Sequence, residues 1–220
     1  MMRSLYRRES AEFDRGLAFF DAIYGFSLTL LIANIDIPSP RAWRSLPALL
    51  AHGVGIQLLG FLISFVVIVA FWYNNHDLVA RLTGLDEKVI MLNIVTAGLV
   101  IFIPFTTQGI SDPATADLPL PTTLYAVNLS LAILSQVAMF ELARRHGLVA
   151  IPDPPHARRA RLVDALLKPA VFVGSIPVAY LAGGNAAKWC WLALAVVSPI
   201  SGRISDRKIE QARRDRPAGA

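Results

Sequence analysis

The feature that most constrains this chain is an alternation along its length: apolar stretches of roughly twenty residues separated by short polar segments that carry most of the charge. A helix rises 1.5 Å per residue, so about 20 residues cross the roughly 30 Å hydrocarbon core of a bilayer. Near-continuous apolar runs cover 17–37, 46–73, 89–110, 122–142, 162–182 and 186–201. The pattern predicts an all-α integral membrane protein, one domain over 1–220 with six transmembrane helices and a basic tail at 202–220. Composition agrees: 17% charged residues is well under the soluble average of about 25%, which excludes a small soluble enzyme.

Basic residues orient the spans. The N-terminal segment, the second and fourth polar segments and the tail together hold 18 of the 21 Lys and Arg, leaving Arg41, Arg44 and Lys188 for the other side. Cytoplasmic loops carry the excess of Lys and Arg, so both termini are expected in the cytoplasm. The first run contains Asp21 and ends at Asp36-Ile37-Pro38 without a small-residue cleavage site, so it reads as a retained helix rather than a signal peptide. The Pro-rich 151–155 is an ordinary connection. Gly183-Gly184-Asn185 fits the turn of a hairpin between the last two spans. No internal repeat is visible, which argues against two inverted transporter halves.

Several chemistries find no residues to carry them. The single cysteine, Cys190, and the scattered His52, His76, His146 and His156 have no metal-site spacing. No metal or other cofactor is therefore expected. The net charge of +5 reads as a topology signal and not as a nucleic-acid surface. There is no P-loop, no G-x-S-x-G and no H-E-x-x-H, so no enzyme active site can be assembled. The T-V-G-Y-G filter of ordinary potassium channels is absent as well.

Polar residues inside the spans are the informative ones, because an ionisable group in hydrocarbon must find a partner. Asp21 follows Arg15 by six residues, about 9 Å deeper and about 120° around the helix, too far round for a direct pair. Arg15 is expected to snorkel to the interface. Depth arithmetic nominates Trp72 and Asn93 as partners for Asp21, with His76 nearby, since Trp offers one N–H donor and Asn two. Such a cluster would fasten the first three spans, or sense protons. Farther along the first span, Phe26, Leu30 and Ala33 recur at i, i+4 and i+7 with Thr29 beside them. By itself an apolar stripe of this kind is lipid-facing or packing surface.

Other positions have simpler readings. Trp43, Trp72, Tyr73, Trp189 and Trp191 near span ends read as interfacial anchors. Pro104 should bend or end the third span. Asp164 and Lys168 form an i, i+4 pair, while Ser135, Gln136 and Glu141 are candidates for gluing helices together. The Arg-rich tails read as lipid-contacting or solvated flanks.

Two patterned segments then add a family resemblance. Arg15-Gly16-Leu17-Ala18-Phe19-Phe20-Asp21 resembles the R-x-x-x-F-S-D signature of the lysosomal and bacterial transmembrane protein 175 family of potassium channels. Phe71-Trp72-Tyr73-Asn74-Asn75-His76, with Asp86, Asn93 and Ile103-Pro104-Phe105, is similar to the second-to-third helix pattern of that family. The resemblance implies a six-helix subunit in the cell membrane that assembles as a homotetramer around the first helix, passes K⁺ and has no re-entrant filter loop. It also implies a hydrophobic constriction at Phe26, with further pore-facing layers at Thr29, Leu30 and Ala33. Two positions depart from the family: Phe20 replaces the motif serine, and Phe26 replaces an aliphatic constriction residue. The competing readings are a proton-permeable pore that uses Asp21 and His76, and a non-conducting membrane scaffold or sensor of the same fold.

Overall fold

The computed structural model describes residues 5–191, and five helices among them are long and apolar enough to cross a membrane. A strand β1 (Leu5–Arg7) leads into helix α1 (Ala11–Ala33). A short helix α2 (Leu46–Leu49) and one wide helical turn (Leu50–Val54) precede α3 (Gly55–Ala80). Strand β2 (Gly84–Asp86) starts α4 (Glu87–Ile101), which continues after a break as α5 (Ile103–Ser111). Two long helices follow, α6 (Pro119–Arg145) and α7 (Pro155–Ala182). After Gly183, whose φ of 89° suits glycine, the chain is helical again from Gly184 to Trp191. Most of the expected sixth span, 186–201, and the tail at 202–220 lie outside the described residues.

Where the helices depart from the apolar runs, the reasons are local. The second span does not begin at Leu46: Gly53, at φ 82°, turns the chain before α3 starts. At its other end α3 runs past Tyr73 through Asn74, Asn75, His76 and Asp77 to Ala80, because a helix need not stop where its residues become polar. Trp72 is therefore inside the helix and does not end it. The third span is interrupted at Phe102, two residues before Pro104, which offers no N–H to the preceding turn; α7 by contrast runs on through Pro169 and Pro177. The carbonyls of Leu99 and Pro104, on either side of this break, accept from Asn128 Nδ2 (3.1 Å) and Asn34 Nδ2 (2.7 Å).

Packing follows the long helices, with α6 along α7 and α4, and α1 against α3 and α4. The central core joins Phe20, Tyr24 and Leu31 of α1 to Ile68, Phe71, Val100, Leu129 and Phe172. Small and hydroxyl residues let the helices approach and bond: Thr107 Oγ1 donates to Ser64 Oγ at 2.7 Å, and Thr96 Oγ1 to Ser135 Oγ at 2.8 Å. Gln136 Nε2 reaches the Phe71 carbonyl at 3.0 Å. Trp191 does not serve as an interfacial anchor: its ring stacks on Tyr125 at 5.2 Å and its N–H donates to Ser175 Oγ at 2.8 Å.

One end of the bundle gathers the N-terminal segment, the α3–α4 connection and the α6–α7 connection. β1 pairs antiparallel with β2, and Leu82 bridges to Val149. A second core cluster, including Phe13, Val79, Leu85, Val89, Met139 and Leu148, closes this end. Asp86 ties it together: one carboxylate oxygen accepts from Val89 N (2.9 Å) as the N-cap of α4, and the other meets His146 Nδ1 at 2.5 Å just past α6. At the opposite end Lys188 Nζ donates to the carbonyls of Ile110 (2.7 Å) and Ala116 (2.6 Å), and Asp117 Oδ1 accepts from Asn185 N, closing the α7 turn.

Asp86→Ala removes a cap and a largely buried bond together and should lower stability by about 1–3 kcal/mol. Denaturation in detergent measures this, and His146→Ala should give a smaller loss because the cap survives.

Candidate functional site

Helix α1 has two faces of opposite character. Phe20, Tyr24, Ser27 and Leu31, spaced i, i+4, i+7 and i+11, are buried against the rest of the bundle. At about 100° per residue, Phe26 lies about 160° from Tyr24, and Ala33 lies about opposite it. Phe26 is 60% exposed, Thr29 and Ala33 are exposed as well, and Leu30 is half-buried on the flank. The stripe found in the sequence is thus the face of α1 that its own subunit leaves uncovered. Thr29 Oγ1 donates to the Phe26 carbonyl at 2.7 Å, which turns its proton inward along the helix and leaves the oxygen's lone pairs outward.

The signature residues are arranged around a single side-chain bond. Trp72 Nε1 donates to Asp21 Oδ1 at 2.8 Å, and the His76 ring lies 5.7 Å from the indole one turn along α3. Asp21, Trp72 and His76 are all exposed on the isolated subunit. Arg15, on the same helix, forms no ion pair with Asp21 among the described residues, as the angular arithmetic required; it borders a recess with Glu12, Tyr6 and Phe19. Phe20, at the serine position of the motif, is buried in the central core, its ring edge-on to Phe19 at 5.6 Å.

Asn93 does not join this cluster. It is buried within the bundle, and neither its Nδ2 nor its Oδ1 has a hydrogen-bond partner among the described residues. The physical reason is twofold: the one N–H of Trp72 is already spent on Asp21, and Asp21 points to the outer side of the bundle whereas Asn93 points inward. Depth along the membrane normal placed the two at one level but carried no azimuth.

Sequence reasoning passed over several polar contacts. Gln57, buried near the start of α3, donates through Nε2 to Asp36 Oδ2 at 2.7 Å and accepts from Asp36 N at 3.2 Å, fixing the exit of α1. A lone Gln near the head of an apolar run was the available signal. Glu141, named from the sequence as a candidate for gluing helices, takes bonds from Arg144 and Arg145 of its own helix and from Arg158 of α7, three partners the sequence did not identify. The Asp164–Lys168 pair forms as expected, at 3.5 Å.

Residues 15–104, which contain α1, α3, α4 and the Asp21–Trp72 contact, match the family model described as endosomal/lysosomal potassium channel TMEM175. By this match the segment 15–104 is similar to the TMEM175 family. A protein named potassium channel from Streptomyces collinus is 27% identical over 156 residues, 68% of this chain and 74% of that protein. The endosomal/lysosomal proton channel TMEM175 of Gallus gallus is 28% identical over 149 residues, 64% of this chain but only 29% of the animal protein, so the chain spans under a third of that relative. In fold, the chain is similar to the crystal structure of a lysosomal potassium-selective channel TMEM175 homolog from Chamaesiphon minutus, with a TM-score of 0.66 and 19% identity over 89% of this chain and 99% of the other. TMEM175 proteins are ion channels and not enzymes, and with its several spanning helices this chain is a multi-pass membrane protein.

The Asp21–Trp72 bond should show as a coupling. In a double-mutant cycle of Asp21→Asn and Trp72→Phe, the interaction energy is expected at about 0.5–1.5 kcal/mol, the range for hydrogen bonds between membrane helices. Additive losses in detergent unfolding would show that the two side chains act independently.

Proposed function

We propose that this chain is the subunit of a homotetrameric, K⁺-preferring cation channel of the cell membrane, with six helices, both termini cytoplasmic, no re-entrant filter loop and the pore lined by α1. The observation that carries the reading is the uncovered face of α1: Phe26, Thr29 and Ala33 turn away from the subunit core, in the segment that matches the channel family. The topology is supported by the gathering of three basic polar segments at one end of the bundle, which is the end the Lys and Arg bias assigns to the cytoplasm.

Four copies of α1 around an axis would bring four Phe26 rings together. A ring of large apolar side chains empties of water, because a permeating ion would shed hydration there without receiving ligands in return. Phe26 is thus the gate of this reading, and an aromatic ring closes the axis more fully than an aliphatic side chain. One turn away, the outward oxygens of four Thr29 hydroxyls would offer a partly dehydrated cation its nearest ligands. K⁺, which gives up its hydration more readily than Na⁺, gains more from such a sparse site. Leu30 and Ala33 continue the lining. Asp21 and Trp72 set the rotation of α1 on α3, so they position the pore face without standing in the ion path.

A second reading is favoured by one observation. The animal relatives carry the name proton channel, and the Asp21–Trp72–His76 array offers titratable groups beside the pore helix. A proton-permeable pore would pass current along a proton gradient with K⁺ absent, and His76→Ala would lower it.

The deciding experiment is reconstitution into liposomes with K⁺ and Na⁺ flux measured for the parent chain and Phe26→Ala. The channel reading expects K⁺ flux above Na⁺ flux and a rise of about tenfold or more on Phe26→Ala, equivalent to a barrier lower by about 1.4 kcal/mol. Background flux from both proteins, with tetramers verified by mass, would favour the non-conducting scaffold.

A further inference from the structure

Away from α1, the chain encloses a cavity of about 210 Å³ between α3, α6 and α7, at the end of the bundle where the basic segments gather. Its two long walls differ in chemistry. The α6 wall runs from Ile133, Val137 and Phe140, with Gln136 among them, to Glu141 and Arg144 at its end, while α7 contributes Arg158, Arg161 and Lys168. These three bases stand at i, i+3 and i+10, on one face of a helix. The position at i+7 on that face is Ala165, whose small side chain leaves the space open.

The charges around this cavity do not cancel where they are densest. Glu141 is shared by three guanidinium groups: Arg144 (2.6 Å), Arg158 (2.6 Å) and Arg145 (3.4 Å). Arg145 points away from the cavity, so at its wall one carboxylate faces two arginines, a local surplus of one positive charge, while over the whole lining the four carboxylates Asp77, Glu141, Asp153 and Asp164 balance the four bases Arg144, Arg158, Arg161 and Lys168. Arg144 and Arg158 each spend Nε and Nη2 on Glu141, and a guanidinium carries five N–H donors, so both keep donors in reserve. Arg161 is paired with Asp153 (2.6 Å) and Lys168 with Asp164 (3.5 Å). The carboxylates Glu141, Asp153 and Asp164 are 16–19% exposed and the four bases lining the cavity 25–39%, so the acids sit behind the bases and hold them outward. Asp77 is the exception, an exposed carboxylate at the rim that is paired with Arg81.

We infer that this cavity binds a membrane phospholipid with an anionic phosphate headgroup. The phosphate meets the Arg144 and Arg158 guanidinium groups, whose planar forks match phosphate oxygens, and an acyl chain lies along Ile133 and Val137. A soluble phosphate would use the arginines alone and leave the apolar wall uncovered, whereas a lipid satisfies both. The site is separate from the pore face of α1, and the inference stands whether or not the chain conducts.

The test uses the purified full chain in neutral detergent, titrated with dioleoylphosphatidylglycerol or dioleoylphosphatidylcholine and read by native mass spectrometry. The two lipids share their chains and differ in headgroup charge. Phosphatidylglycerol should bind at least about fivefold more tightly, the effect of one basic contact to an anionic lipid. Ala165→Phe fills the cavity without altering a charge and should reduce that binding by about fivefold or more, and Val137→Phe, filling from the opposite wall, should do the same. Equal retention of the two lipids overturns the inference. So does undiminished phosphatidylglycerol binding in a filling variant that unfolds at the parent temperature. Displacement of the lipid by millimolar inorganic phosphate overturns the lipid assignment in favour of a soluble anion. Should both filling variants misfold, the lipid preference and the phosphate competition on the parent chain still decide.

Discussion

Hydrocarbon offers no water to a backbone N–H or C=O, so each such group within the membrane must be satisfied from inside the protein. Unbroken helices meet this demand alone, and α1, α3, α6 and α7 do so for most of their length. Proline is where the solution falls short, because its nitrogen cannot donate: Pro169 and Pro177 each remove a bond inside α7, and Pro104 sits just past the α4–α5 break. Two side chains bond the backbone next to this break, Asn128 at the Leu99 carbonyl and Asn34 at the Pro104 carbonyl. Asn34 caps the end of α1 and Asn128 lies in α6, so these bonds fasten both helices to the interrupted span.

The same constraint explains how α1 is held. Its buried face is a conventional packing surface, Phe20, Tyr24 and Leu31 against α3, α4 and α6. Its rotation is set by polar contacts at two levels, Asp21 with Trp72 near one end and Asn34 and Asp36 with Pro104 and Gln57 near the other. A helix pinned at both ends presents the opposite face, with Phe26, Thr29 and Ala33, in a defined direction. The proposed pore depends on that direction more than on any single residue of the stripe. Phe20 fits this account: where the family motif has a hydroxyl, this chain has a buried ring that adds to the packing face.

The loop end of the bundle follows a different rule, because water and headgroups are available there. Asp86 and His146 tie α4 to the end of α6, and Glu141 draws α7 to α6 through Arg158. These are charged contacts of modest exposure that do not compensate one another fully, and around Glu141 the surplus is positive. Arg144 and Arg158, sharing one carboxylate beside an apolar crevice, are the basis of the proposed phospholipid site, which is distinct from the proposed pore.

The sequence alone determined that this is a helical membrane protein, that its third span is broken near Pro104, and that residues 15–104 carry the resemblance to the channel family. Those properties follow from composition and spacing within short windows, which a helix expresses directly. Tertiary structure decided that Asp21 binds Trp72 and not Asn93, that Gln57 holds Asp36, that Trp191 packs inside and that Glu141 gathers three arginines. It also decided that the Phe26 stripe is the uncovered face of α1. Linear spacing gives depth along a helix but not the rotation of one helix against another. That rotation comes from the combined packing of residues far apart in the chain, and it selects which polar groups at one depth meet.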